Sequence, residues 1–166
     1  VKPNGAGSSF GISKVKVKVQ LATAIDNALM YDNQVLIEQF INGTEVSCGV
    51  YFNAEQVIAL PITEIVSENE FFDFQAKYEG KSEEITPARI SSELTSAIQK
   101  TSIDCYKKMN LVGICRIDYI IMEDIPYIIE INTIPGLSEE SIIPKQLKAA
   151  NLKLSEVFET CLLNTN

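Results

Sequence analysis

The chain has 166 residues, 46% of them apolar, enough for the core of one ordinary domain and too apolar for an intrinsically disordered segment. Its 22 acidic residues outnumber the 14 basic ones and leave a net charge of −8, which argues against a nucleic-acid backbone as the main partner. There is no histidine, so Ser-His-Asp, Cys-His and His-ligated zinc chemistry are excluded from this chain.

The chain opens on Val1 in "VKP", without an initiator Met, and reads as a piece of a longer protein or a trimmed one. No apolar run approaches the roughly 20 residues of a membrane span, and no signal peptide is visible. Next comes "PNGAGSSFG", a Gly/Ser loop that fits neither the P-loop nor the GxGxxG pattern. It reads as a flexible surface turn, or as backbone that lets N–H groups approach a phosphate, with the Lys2 charge available to the same anion. Leu21, Ile25, Ala28 and Leu29 recur at helical spacing, which predicts an amphipathic helix over roughly 18–32.

"VLIEQFI" predicts a strand, "NG" at Asn42–Gly43 a two-residue hairpin turn, and "TEVSCGVYF" the returning strand; "NAE" then turns the chain into "QVIALPI". Together these make an antiparallel meander. In the first strand Glu38, Phe40 and Asn42 share one parity, and Val35, Ile37 and Gln39 the other. That is either an ordinary amphipathic strand or the apolar wall and backbone edge of a purine slot. Residues 67–82 are polar with interleaved aromatics and predict a long loop. Its Phe71, Phe72, Phe74 and Tyr78 suggest a lid, with Lys77 able to reach a phosphate. Ser92 is the expected N-cap of a helix running to about Asn110.

"RIDYIIMEDIPYIIEIN", residues 116–132, predicts a hairpin with a loop centred near Asp124. Arg116, Asp118 and Ile120 share one face of the first strand, and Ile128, Glu130 and Asn132 share one face of the second. That loop puts Asp118 opposite Glu130 and Arg116 opposite Asn132; a one-residue slip would mix polar and apolar faces. Two carboxylates about 5 Å apart repel by roughly 3 kcal/mol at an effective dielectric near 20, before screening. Either this is a solvated face, with the acids meeting water or Arg116, or the acids hold Mg²⁺ beside a phosphate. After "TIPGLSEES" come a short helix near 142–149 and a last helix with Leu154, Val157, Phe158, Cys161 and Leu162 on one stripe. Strands and helices mix without βαβ alternation, so the expected class is α+β. The four cysteines, Cys48, Cys105, Cys115 and Cys161, form no CxxC pair and are expected to be buried free thiols.

Read together, "VKP…GSSFGISKV", "VLIEQFINGTEV", "FFDFQAKY", "RIDY" and "EINTIPGLSEESIIPK" resemble the C-terminal ATP-grasp portion of the D-alanine–D-alanine ligase family, in the family's order across essentially the whole chain. The resemblance implies a mainly antiparallel sheet flanked by helices. It implies ATP-dependent ligation of two D-alanines through an acyl phosphate, for peptidoglycan precursor synthesis. Lys2 and Lys77 match phosphate contacts, Glu38, Gln39, Phe40 and Ile41 the adenine segment, and Glu45 the ribose contact. Asp118, Glu130 and Asn132 match the ligands of two Mg²⁺ ions, with Mn²⁺ as an alternative. Arg116 and the Gly136 backbone match the groups that steady the tetrahedral oxyanion. Ser141 and Ile142 match the second-substrate site, and Ser8 and Tyr78, with Lys77, the network that closes it.

The resemblance also implies a cytoplasmic protein without nucleic-acid or membrane partners, a homodimer at full length, and an inactive fragment, since the family's N-terminal domain and an earlier phosphate-binding lysine are absent from these residues. Departures are Gln39 where lysine is common, Phe72 and Phe74 in place of lid tyrosines, and Ala6 and Glu140 at other polar positions. The retained Tyr78 and the absence of histidine favour D-alanine over D-lactate as second substrate. The other readings are a ligase for D-lactate, D-serine or another amine, and a non-catalytic nucleotide-binding module.

Overall fold

The computed structural model describes residues 1–7, 9–67 and 82–164, which fall into two compact units. The first comprises Val1–Ile41 with Ser67–Glu83. In it β1 (Lys2–Pro3) pairs antiparallel with β2 (Val35–Leu36). A single 3₁₀ turn, Lys18–Gln20, leads into α1 (Leu21–Leu29), which buries Ala24 and Ala28. The helix is shorter than its apolar spacing predicts because Asp32 draws the chain away. Its carboxylate accepts from the Gly5 N–H at 2.6 Å and the Gln34 N–H at 3.2 Å, turning the backbone toward β2.

The strand expected over "VLIEQFI" is confined to Val35–Leu36, and its partner is β1 rather than the segment after Asn42–Gly43. The expected parity of Glu38, Phe40 and Asn42 therefore does not exist. The reason lies in the second unit, Asn42–Val66 with Glu84–Asn166. There β3 (Thr44–Phe52) already has both edges occupied, by β7 (Ile114–Met122) on one side and by β4 (Val57–Ala59) and β5 (Thr63–Ser67) on the other. No edge remains for residues 37–41. Gly43 is not a hairpin glycine either. A Cβ there would run into the carbonyl of Ile121, so glycine lets this backbone lie against the end of β7.

The sheet is completed by β6 (Ser82–Ile85) and β8 (Ile125–Asn132), in the order β6-β5-β3-β7-β8 with β4 also on β3. The "NAE" turn and the β3–β4 hairpin are as expected, with Phe52 opposite Val57. Alternation gives the sheet two buried faces. Val46, Cys48 and Val50 of β3 and Cys115, Ile117, Tyr119 and Ile121 of β7 pack with Ile98 and Tyr106 of α2 (Ser92–Lys108). Ser91, one residue before the expected cap, accepts from the Leu94 N–H at 3.2 Å, and the helix ends before Asn110, whose φ of 50° is left-handed. The Tyr119 hydroxyl, fully buried, meets Ser102 of α2 at 2.7 Å.

Tyr51 and Ile114 face the other way. They pack with Ile143 and Leu147 of α3 (Ile142–Ala149) and with Val157 and Cys161 of α4 (Leu154–Leu163). Ile143 and Leu147 are fully buried, each contributing about 1.5–3 kcal/mol of transfer free energy. On α4 the apolar stripe is wider than its seat, since Phe158 and Leu162 remain exposed. The α+β expectation holds, with helices on both faces of a mostly antiparallel sheet. All four cysteines are free thiols, and burial pushes those of Cys48 and Cys115 up to about 11.

Candidate active site

The β7–β8 hairpin turns through Glu123 and Asp124, both left-handed with φ of 51° and 61°, which is a two-residue turn of the type whose twist suits a hairpin. Its tip register pairs Met122 with Ile125 and Tyr119 with Ile128. Carried onward unbroken, that register would set Ile129 and Ile131 opposite Asp118 and Arg116, and turn Glu130 and Asn132 to the other face. A β-bulge prevents this. The pairing shifts between Asp118 and Tyr119, leaving Ile129 as the extra residue, and Asp118 then pairs with Glu130 and Arg116 with Asn132. The expected pairs of polar residues are therefore present, produced by a tighter turn plus a bulge rather than by a loop centred at Asp124. Ile128 pairs with Tyr119 and leaves the face it was expected to share with Glu130.

The four side chains meet. Arg116 forks onto Asp118, Nε to Oδ1 at 2.8 Å and a terminal nitrogen to Oδ2 at 2.7 Å. The Asn132 amide nitrogen donates to Asp118 Oδ2 at 2.9 Å and to Glu130 Oε1 at 3.2 Å, so one amide touches both acids. Ser47 of β3, directly across from Asp118, donates its hydroxyl to Oδ1 at 2.5 Å. The repulsion foreseen between the acids is thus met by a guanidinium and an amide. Burial pulls the Arg116 pKa down. The hydrogen bond and charge of Asp118, with the charges of Glu130 and Glu84, more than offset this and hold it above its ordinary value.

Asp118 is 6% exposed and recessed, while Glu130 stands at the exposed rim. Hard carboxylate oxygens at graded depth fit Mg²⁺, which uses one or two carboxylates and completes its shell with water and substrate oxygens. To join that shell the Asn132 amide must turn over, which brings its oxygen rather than its nitrogen to the acids and frees a lone pair on Asp118 Oδ2. Among the described residues no trio of His, Cys, Asp and Glu converges, so the two acids need the amide or the substrate to complete a shell.

Other predicted site residues are placed as follows. Glu45 lies on β3 with the parity of Ser47, opposite Ile120. Gly136 and Ser141 come together, since a Cβ on Gly136 would sit 2.7 Å from the Ser141 hydroxyl. Ser141 is the N-cap position of α3 but does not cap with its side chain, its hydroxyl meeting Ser138 at 2.7 Å instead. The Ile142 side chain is buried, so what it offers a ligand is its backbone N–H in the first turn of α3. In the first unit, Lys2 pairs with Glu38 at 2.8 Å, and Lys14 lies 3.7 Å above the Phe40 ring. Gln39 and Phe40 are exposed and Ile41 half-buried, outside any strand. Ser8, Lys77 and Tyr78, and most of the expected loop 67–82, lie outside the described residues.

Sequence reasoning missed Ser47, because its alternation on β3 points to the acidic face only once the pairing of β3 with β7 is known. It also missed Lys145, which joins Glu84 at 3.0 Å and Glu140 at 3.6 Å, and Gln146 beside it.

A mostly antiparallel sheet flanked by helices is the architecture of the D-alanine ligase branch of the ATP-grasp enzymes. It is shared with the VanG D-Ala:D-Ser ligase of Enterococcus faecalis, with a TM-score of 0.83 and 35% identity over 97% of this chain and 47% of that one. The D-alanyl-alanine synthetase A of Vibrio cholerae aligns with a TM-score of 0.84 and 28% identity over 99% of this chain and 51% of that one. The family described as D-ala D-ala ligase C-terminus matches residues 1–163, and the chain belongs to it. The D-alanine–D-alanine ligase of Flavobacterium johnsoniae is 53% identical over 98% of this chain and 50% of its own length. That of Porphyromonas gingivalis is 49% identical over 98% and 49%. The chain thus spans about half the length of the curated relatives it matches.

Proposed function

We propose that this chain is the metal-binding C-terminal half of a cytoplasmic, ATP-dependent ligase that joins two D-alanines for peptidoglycan precursor synthesis. The observation that carries the reading is the bulged hairpin that brings Arg116, Asp118, Glu130 and Asn132 onto one surface. Asp118, Glu130 and Asn132 would hold Mg²⁺, two ions in the family's manner, which supplies charge neutralisation to the triphosphate. Arg116 is fixed in direction by Asp118, and its remaining N–H groups are free of that fork to meet negative charge developing on the acyl carbon's oxygen. The Gly136 backbone joins Arg116 in steadying that oxyanion, and Ser141 and Ile142 hold the second amino acid. Lys2, held by Glu38, presents an ammonium to phosphate, with Glu38 to Ile41 and Glu45 about adenine and ribose. By their match to the family's motifs, Ser8, Lys77 and Tyr78 are assigned to the network that excludes water, which would otherwise hydrolyse the acyl phosphate.

No helix among the described residues is long and apolar enough to cross a membrane. The full-length protein is a homodimer in this reading, and the chain alone does not ligate. The test is phosphate release by the full-length ligase. D-Alanine should support it, L-alanine and D-lactate should not, and dipeptide formation by the isolated chain would contradict the half-enzyme reading. A second reading, D-serine as the acceptor, draws on the 35% identity to a D-Ala:D-Ser ligase and is separated by supplying D-serine alongside D-alanine.

A further inference from the structure

One edge of β3 carries β5 over Glu45–Ser47 and β4 over Val50–Phe52, and between them the strand pairing gives way to a single bond, the Leu60 N–H donating to the Gly49 carbonyl at 2.8 Å. The gap is filled by a side chain from the opposite layer. Gln146 of α3, fully buried, accepts from the Gly49 N–H at 2.9 Å and donates its amide nitrogen to the Ser47 carbonyl at 2.8 Å. Glycine at position 49 makes this approach available, since a Cβ there would stand 2.5 Å from the Gln146 oxygen. Ser47 is also the residue whose hydroxyl holds Asp118.

We infer that Gln146 is a positioning residue for the amino-acid end of the site: its buried amide fixes the first turn of α3, with Ser141, in register with the strand that orients Asp118. The inference rests on the ligase reading and deepens it. Ile143 and Leu147 also seat α3 on the sheet, but apolar contact has no direction and tolerates sliding. A primary amide bonded to one backbone acceptor and one backbone donor does not. Ser141 lies five residues before Gln146, about 7.5 Å along the helix, so a small tilt at the amide is carried to the Ser141–Gly136 contact.

The test uses the full-length ligase carrying this chain, with D-alanine and Mg-ATP as probes. Gln146→Met keeps the volume and removes both hydrogen bonds. Gln99→Leu is the control, because it removes a side chain-to-backbone bond from α2 to the Leu60 carbonyl, 3.1 Å long, on the other face of the sheet. The expected result is a rise of about tenfold or more in KM for the acceptor D-alanine in Gln146→Met, since misplacements near 1 Å cost on that scale. KM for ATP should change by less than about twofold, and Gln99→Leu should move neither. An unchanged acceptor KM in Gln146→Met, or an equal rise in Gln99→Leu, overturns the inference while wild-type turnover leaves the ligase reading standing. Absence of D-alanine-dependent phosphate release by the wild type overturns both. Should Gln146→Met not fold, hydrogen exchange of the wild type decides. A Gly49 amide exchanging as slowly as the β3–β7 ladder supports the inference, and one exchanging like an exposed loop amide overturns it.

Discussion

Replacing Ser47 by alanine removes one oxygen from the most enclosed part of the site. Asp118 receives four side-chain hydrogen bonds: two from Arg116, one from Asn132 and one from Ser47. The Ser47 bond is the shortest, at 2.5 Å, and the residue is fully buried, so water has no ready path to replace it. A hydrogen bond to a charged group contributes about 1.5–3 kcal/mol, and alanine fits the space without strain. At about 2–4 °C per kcal/mol for a chain of this size, Ser47→Ala should lower Tm by roughly 3–12 °C. Denaturant titration should show a lower midpoint with an unchanged slope. A loss below about 0.5 kcal/mol, within the scatter of ordinary surface substitutions, would refute the claim that Ser47 anchors Asp118.

Arg116→Lys should spare nucleotide binding but lower kcat by about 10²–10³, because an ammonium cannot keep the fork on Asp118 and also face the developing oxyanion; nucleotide titration and steady-state kinetics check this. Gly43→Ala should cost about 1–3 kcal/mol in denaturant unfolding, since its methyl meets the Ile121 carbonyl. The Glu64 carboxylate sits below its ordinary 4.5, first through the Arg89 side-chain hydrogen bond, then through the Arg89 backbone N–H and charge, which outweigh burial. A depressed carboxylate contributes stability above pH 4.5 that is lost as pH falls through the folded value. Arg89→Met should therefore be less stable than wild type at pH 7, and the difference in melting temperature should shrink below pH 4.5.

The polar pairs of the β7–β8 hairpin were legible because four functional side chains alternate with isoleucines on both strands, and only one register keeps them on one face. The bulge at Ile129 was not, since an extra isoleucine in an isoleucine-rich strand leaves no mark on the pattern. "VLIEQFI" misled for the opposite reason: strand propensity was real, but β3 had no free edge to accept it, and edge occupancy is a property of the whole sheet. The Asn42–Gly43 dipeptide reads as a turn although Gly43 serves a close backbone approach. Ser47 and Gln146 were invisible as site supports. Each is an ordinary polar residue until the register of β3 with β7, and the seating of α3 on β3, set them against Asp118 and against the backbone at Gly49.

The most direct measurement is Mn²⁺ binding to the full-length protein with nucleotide present, read by electron paramagnetic resonance, for wild type, Asp118→Asn and Glu130→Gln. The account predicts that each substitution weakens binding by about tenfold or more, while circular dichroism shows the sheet retained. Wild-type affinity in both variants would contradict the placement of a divalent cation at the β7–β8 hairpin.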